Sequence, residues 1–349
     1  MLNLLSIHIF IFLISLSLIL TLFFIATKTG FFIEKRTDTV RKIHSFPVIK
    51  TGGLSFLPVY MILFLVNDEL IRSIILFSLF FLLIGFLADI YKEFSSYFRF
   101  ILMILVVILF IGSNNFIIYN IDDGPITELF LNYPLLSILF SLFGLMFTIN
   151  GFNFIDGNNG LLLGVTLIIL TNFLVYLGNN NYELSIFIIS LLIVVSTLFV
   201  FNFFSGKILS GDTGSYFIGF VIGAISILIK NYGLLNSYLI ACLISYPIFE
   251  LVTSFFRRIM INKTNPFEPD NLHLHSMLFQ ILKNNYEEKI SINKLNSITS
   301  LIIICYLAII SIIIYNFSYQ IGYFYSFFIL LALYLIFYIF IKRKLKNSF

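Results

Sequence analysis

The chain has 349 residues, a mean hydropathy of +1.03, 44 Phe, 11% charged residues and a net charge of +4. Soluble globular domains carry about 25% charged residues, so the composition excludes that class and points to a membrane. The basic residues are too scattered for a nucleic-acid surface, and the sequence holds no Ser-His-Asp arrangement, dinucleotide fingerprint or P-loop.

A bilayer crossing needs about 20 mostly apolar residues. Continuous rather than alternating apolar runs predict helices, because a spanning backbone must satisfy its own hydrogen bonds. Eleven spans are expected within one membrane domain, 1–349. The first, 4–27, is not expected to be a cleavable signal, since no Lys or Arg precedes it and its apolar run is too long. RKIHSFPVIKTGG (41–53) follows, in which Arg41, Lys42, His44 and Lys50 either hold a lipid phosphate or only report orientation. Next come spans 51–67 and 70–88, the latter ending in GFLADIYK with Asp89. A carboxylate at the hydrocarbon edge asks for a partner unless water solvates it.

Spans 97–119 and 134–149 lead to NGFNFIDGNNG (150–160). If this stretch is helical, Asn153, Asp156 and Asn159 form a ladder on one face, suited to a nucleotide or sugar. A turn would look similar. Spans 160–178 and 183–203 precede SGDTGS (210–215), where Asp212 is either a helix N-cap or a boundary carboxylate holding a divalent cation beside phosphate-binding amides. After spans 214–230 and 233–256, NPFEPDNLHLHS (265–276) carries His273 and His275. No further ligands complete a zinc set. With Arg257, Arg258 and Lys263 the pair suits phosphate, although those cations also fit a purely topological role. Spans 297–317 and 320–341 close the chain. Cys242 and Cys305 fall inside apolar spans and read as small buried hydrophobes.

With eleven spans the connections alternate, and one side collects 19 of the 21 Lys and Arg. The basic side is cytoplasmic by the positive-inside rule, which puts the amino terminus outside and the carboxyl terminus inside. All five polar islands then share the cytoplasmic side and suggest one composite site.

Taken together, RKIHSFPVIKTGG, GFLADIYK, NFIDGNNGL, FNFFSGKILSGDTGSYFIG and RRIMINKTNPFEPDNLHLHS resemble, in order, the polyprenyl-phosphate N-acetylhexosamine-1-phosphate transferases. That resemblance implies an all-α integral membrane fold, a cytoplasmic site and Mg²⁺, with Mn²⁺ as an alternative. It implies transfer of a sugar-1-phosphate, GlcNAc-1-phosphate by preference, from a UDP-N-acetylhexosamine to a polyprenyl phosphate in a bacterial plasma membrane. Carried over by position, Asp89, Asp156 and Asp212 resemble catalytic carboxylates, Asp212 and Asp156 also metal ligands, and Asp89 the second member of an acidic pair. Asn153, Asn159, Lys42, His44, Arg258, His273 and His275 resemble substrate contacts. Departures are Ala88 in place of the first Asp of the pair, Asn159 where Asp is frequent, Ser276 for a third His, and Leu209 for an aromatic. The missing acid leaves a general base unassigned, but a phosphate monoester has a second pKa of about 6 and is largely deprotonated at neutral pH. The same reaction with UDP-MurNAc-pentapeptide is the alternative. A transporter would place polar groups near the midplane in repeated broken helices, which this sequence lacks. An inactive homologue fits poorly with the retained acids and histidines. The oligomeric state stays open between monomer and homodimer.

Overall fold

A computed structural model describes residues 4–34, 47–91, 93–122, 125–178, 180–262 and 272–346. Lys42 and His44 lie outside them. The described chain is helical apart from a two-residue antiparallel pairing of β1 (Ile33–Glu34) with β2 (Val48–Ile49). The helices are α1 (Leu4–Thr29), α2 (Glu69–Ile90), α3 (Ser96–Asn114), α4 (Pro125–Asn132), α5 (Pro134–Phe154), α6 (Leu161–Leu177), α7 (Tyr182–Ser205) and α8 (Gly211–Asn231). They continue with α9 (Ser237–Leu243), α10 (Ser245–Phe256), α11 (Leu274–Tyr286), α12 (Ile292–Ile321) and α13 (Tyr323–Lys346). A 3₁₀ helix, Gly52–Phe64, lies between β2 and α2.

Each expected span falls on a helix, but their lengths differ from the expectation. Among the described residues, eight helices are long and apolar enough to cross a membrane, or nine if α9 and α10 form one span bent by 76°. Gly52–Phe64 and Leu161–Leu177 are shorter apolar helices. The run expected as one span over 233–256 breaks at Ile244, just before Pro247, which is tolerated only in a first helical turn.

Several starts are locally encoded. Asp68 accepts from the amides of Leu70 and Ile71, Ser95 from Phe98, and Asn181 from Leu184, filling the N-terminal donors of α2, α3 and α7. Helix α8 is the axis of the bundle, with every residue from Thr213 to Ile229 buried. Phe81 of α2 stacks on Phe220 at 4.3 Å, and Phe56 of the 3₁₀ helix meets Phe217 at 5.4 Å. Lipid gives no hydrophobic drive between helices, so close approach through small residues supplies contact instead. At Gly85 a Cβ would lie 2.5 Å from the Thr213 amide nitrogen, so only glycine lets α2 touch the first turn of α8.

Candidate active site

The first turn of α8 has no cap of its own, because the Ser210 side chain makes no capping bond. The cap comes from α2. Gly85 and Asp89 are one turn apart on one face, so the close crossing at Gly85 delivers the Asp89 carboxylate to the open amides. Asp89 Oδ1 accepts from the Asp212 amide at 3.0 Å. Its Oδ2 accepts from the Thr213 amide at 2.9 Å and the Thr213 hydroxyl at 2.6 Å. Gly211, at φ +68°, is where a Cβ would strike the Lys50 carbonyl and Asp89, so the turn needs glycine.

With the cap supplied by Asp89, Asp212 does not act as the N-cap of α8. Its carboxylate caps nothing. Oδ1 accepts from Asn153 Nδ2 at 2.8 Å, and Oδ2 is ion-paired with Arg99 Nη1. Asn153 also donates to the Ser215 hydroxyl at 2.9 Å, and Arg99 reaches the Tyr216 hydroxyl at 3.3 Å and Ser96 Oγ at 2.9 Å. Asp212 remains 26% exposed, so a ligand can reach it. Asp89, expected among the catalytic carboxylates, is engaged here by three hydrogen bonds that hold the first turn of α8.

A parallel strand-like contact fixes the approach to Asp212. The Ile49 amide donates to the Lys207 carbonyl at 2.9 Å, Leu209 to Ile49 at 2.8 Å, and Gly53 to Ser210 at 3.0 Å.

The Asn-Gly island is not a helical ladder. Helix α5 ends at Phe154 and residues 155–160 are turns and a bend. Asn153 and Asp156 still meet the cluster, since Ser210 Oγ donates to Asp156 Oδ1 at 3.3 Å. Loss of hydration, then the nearby charges of Asp212 and Asp89, push the Asp156 carboxyl up to about 8 against that bond and the Gly211 amide. Asn159 turns to other work. It is fully buried, donates from Nδ2 to Asn293 Oδ1 at 2.7 Å and from its backbone amide to Asn296 Oδ1 at 2.9 Å, tying the turn to α12.

The histidines and Arg258 join the same turn from its other side. Phe154 lies 5.2 Å from the His273 ring, and the Arg258 guanidinium carbon sits 5.5 Å over Phe154. His275 stacks on His273 at 5.4 Å, and its Nε2 would be 2.7 Å from a Cβ at Gly157. Burial, then the His273 charge, lower the His275 pKa well below the ordinary imidazole range, so it is a neutral donor or acceptor. Glu250 of α10, 1% exposed, accepts from the Leu274 amide at 3.2 Å and faces His273 Nδ1 at 3.4 Å. Arg99 and Glu250 were both missed from sequence: the first counted only toward topology, the second lay inside an apolar span.

Among the described residues, no three His, Cys, Asp or Glu side chains converge as a preformed metal cage. Mg²⁺ does not require one, because it is usually held by one or two carboxylates with waters and substrate phosphates. Asp156 and Asp212 fit that pattern, since both offer hard oxygen donors and both reach the first turn of α8.

Residues 71–230 match the model of glycosyl transferase family 4. A Saccharolobus solfataricus protein, provisionally named a UDP-N-acetylglucosamine–dolichyl-phosphate N-acetylglucosaminephosphotransferase, is 33% identical over 46% of this chain and 50% of its own. A Bacillus subtilis protein, provisionally named an undecaprenyl-phosphate N-acetylglucosaminyl 1-phosphate transferase, is 36% identical over 37% of each chain. The phospho-N-acetylmuramoyl-pentapeptide-transferase of Clostridium beijerinckii is 38% identical over 29% of this chain and 31% of its own. The chain thus spans half or less of the length of these relatives. The segment 71–230, which supplies Asp89, Arg99, Asn153, Asp156 and Asp212, is the part of the chain that matches glycosyl transferase family 4.

Proposed function

We propose that this chain transfers an N-acetylhexosamine-1-phosphate, GlcNAc-1-phosphate by preference, from a UDP-sugar to a polyprenyl phosphate. An oxygen of the lipid phosphate attacks the sugar-linked phosphorus, the bond to the second phosphate breaks, and UMP leaves with that electron pair. The observation that carries this reading is the carboxylate cluster of Asp156 and Asp212 at the ends of apolar helices, with Arg99 beside it. It lies in the segment that matches the family. The relatives' names supply the substrate classes.

Asp156 and Asp212 would hold Mg²⁺, which when bound cancels charge on the transferring phosphoryl group. Asn153 orients Asp212 through its amide, and Asp89 holds the turn that carries it. Arg258 and the His273/His275 pair flank the same turn and suit the donor's anionic part. No side chain needs to deprotonate the acceptor, given a second phosphate pKa of about 6.

The same reading includes eleven crossings, with the amino terminus outside and the carboxyl terminus cytoplasmic. The 3₁₀ segment supports this count. Thirteen residues at about 2.0 Å each rise about 26 Å, close to the ~30 Å hydrocarbon core. It starts against Gly214, and the chain just beyond it meets Glu183 at the far end of the bundle, where the Asn67 amide donates at 2.9 Å. Helix α6, with 17 residues, also covers about 26 Å.

The test is a panel of radiolabelled UDP-N-acetylhexosamines given to membranes containing this chain and polyprenyl phosphate. Lipid-linked product with UMP release is expected, strongest with UDP-GlcNAc. Product only with UDP-MurNAc-pentapeptide would move the donor assignment, and no product with any donor would sink the reading.

A further inference from the structure

Arg99 is placed where a metal reading of Asp212 needs room. It stands in the first turn of α3 and ion-pairs through Nη1 with Asp212 Oδ2, while Asn153 holds Oδ1. Both carboxylate oxygens are therefore engaged. The guanidinium is further steadied by Tyr216 at 3.3 Å and Ser96 at 2.9 Å, and its side chain is only 18% exposed. A divalent cation on Asp212 would repel a guanidinium at ion-pair distance. A guanidinium that leaves without a new anion would be stranded, part-buried and unpaired, which is unfavourable.

We propose that Arg99 is a built-in counter-ion that keeps Asp212 from a divalent cation until a nucleoside diphosphate arrives to receive the guanidinium. This rests on the phosphotransferase reading above. A diphosphate brings oxygens in the planar spacing that a guanidinium binds in pairs, so it offers Arg99 a partner as good as Asp212. Asp212 is then free for the cation, whose remaining positions take diphosphate oxygens and water. Cation and diphosphate therefore load together, and the coupling is reciprocal: each raises the affinity of the other by the same factor. Such a site does not trap metal while it lacks its donor.

The experiment measures Mn²⁺ binding to the purified full chain by the paramagnetic resonance of free Mn²⁺, without acceptor and therefore without turnover. UDP is the probe, and its own Mn²⁺ complex is measured separately. For the wild type, weak Mn²⁺ binding is expected alone, with at least about a 10-fold gain on adding UDP. Arg99→Gln should bind Mn²⁺ alone about 10-fold tighter than the wild type, with most of the UDP gain lost. Arg99→Lys keeps one charge but cannot hold Asp212 and Tyr216 together, so it should fall between the two and serves if Arg99→Gln does not fold. Equal Mn²⁺ affinity in the wild type and the Arg99 variants, with binding that Asp212→Asn abolishes, would overturn the inference and leave the metal assignment standing. No Mn²⁺ binding by any of them, with or without UDP, would overturn both.

Discussion

Asp212→Asn separates chemistry from architecture, because the chain should stay folded while transfer collapses. The new amide oxygen keeps the bond from Asn153, and its nitrogen turns a donor toward Arg99. The lost ion pair joins groups that are 26% and 18% exposed and leaves Arg99 part-buried, so the cost lies between that of an exposed pair and that of a buried one, about 1–3 kcal/mol. The α8 cap is untouched, since Asp89 supplies it. Thermal unfolding in detergent should therefore fall by about 2–10 °C, with the chain still folded. A carboxylate that holds a cation against a phosphoryl group contributes several kcal/mol to the transition state, so transfer should fall on the order of 100-fold or more, equivalent to about 2.7 kcal/mol. The assay is the initial rate of lipid-linked sugar formation per folded protein, with Mg²⁺ titrated to show that it does not rescue. Turnover within about 3-fold of wild type would refute the metal assignment. A loss of activity matched by a loss of fold would refute the claim that the chain folds without the Asp212 charge.

Asp89 should behave in the opposite way. Asp89→Asn can satisfy only one of the Asp212 and Thr213 amides in either flip, so stability should drop by about 1–3 kcal/mol, with a larger drop for Asp89→Ala. Unchanged unfolding with a 10²–10⁴-fold rate loss would instead mark a general base. Glu250→Ala should orphan the buried Leu274 amide and cost about 1–3 kcal/mol, whereas Glu250→Gln, which retains an acceptor, should recover much of it in the same unfolding measurement. For Asp156, with a folded pKa of about 8 above the ordinary value of 3.8, the folded chain keeps a proton that the unfolded chain has lost. Its contribution to stability should therefore fall as pH rises from about 4 to about 8, by no more than about 1.4 kcal/mol per pH unit. Asp156→Asn should lack that slope, and parallel pH–stability curves for the two proteins would contradict the shift. Tags at residues 1 and 349 should report opposite sides of the membrane, and the same side for both would mean that one of the short or bent segments does not cross.

The helix positions were legible because hydropathy is a property of single residues summed along the chain. The expected span 4–27 became Leu4–Thr29, and 183–203 became Tyr182–Ser205. What hydropathy does not encode is hydrogen-bond register, so the 3₁₀ form of Gly52–Phe64 and the 76° bend between α9 and α10 were not visible. At the site, Asp156 and Asp212 stood out as charges beside apolar runs, and both reached the cluster. The ties of Asn159 to Asn293 and Asn296 were not legible, because those partners lie on a helix more than 130 residues away. Asp89 was visible as a residue but not as a cap, since that role follows from how α2 crosses α8 at Gly85. Arg99 was hidden by its own ambiguity: one cation at the start of a span is also what the positive-inside rule predicts.

The charge balance of the cluster ties the fold to the proposed reaction. Asp89, Asp156 and Asp212 gather at one end of α8 with Arg99 as an ion-pair partner, and burial holds a proton on Asp156 up to about pH 8. Both proposed substrates are anions, and three carboxyl groups with one guanidinium offer them no net attraction. A divalent cation entering with the substrates would displace that proton and supply the positive charge. The carboxylates differ in what they contribute. Asp89 is spent on backbone amides, whose partial positive charge at a helix N-terminus offsets its own. Asp156 and Asp212 keep oxygens near one another around Ser210 and Asn153, and the cation would bind there. Arg258 and His273 contact the Phe154 ring, His275 stacks on His273, and His275 meets Gly157 beside Asp156. The short Asn-Gly turn therefore touches both the carboxylates and the Arg258 and histidine side chains, and under the proposed reaction it would carry metal and phosphate contacts together.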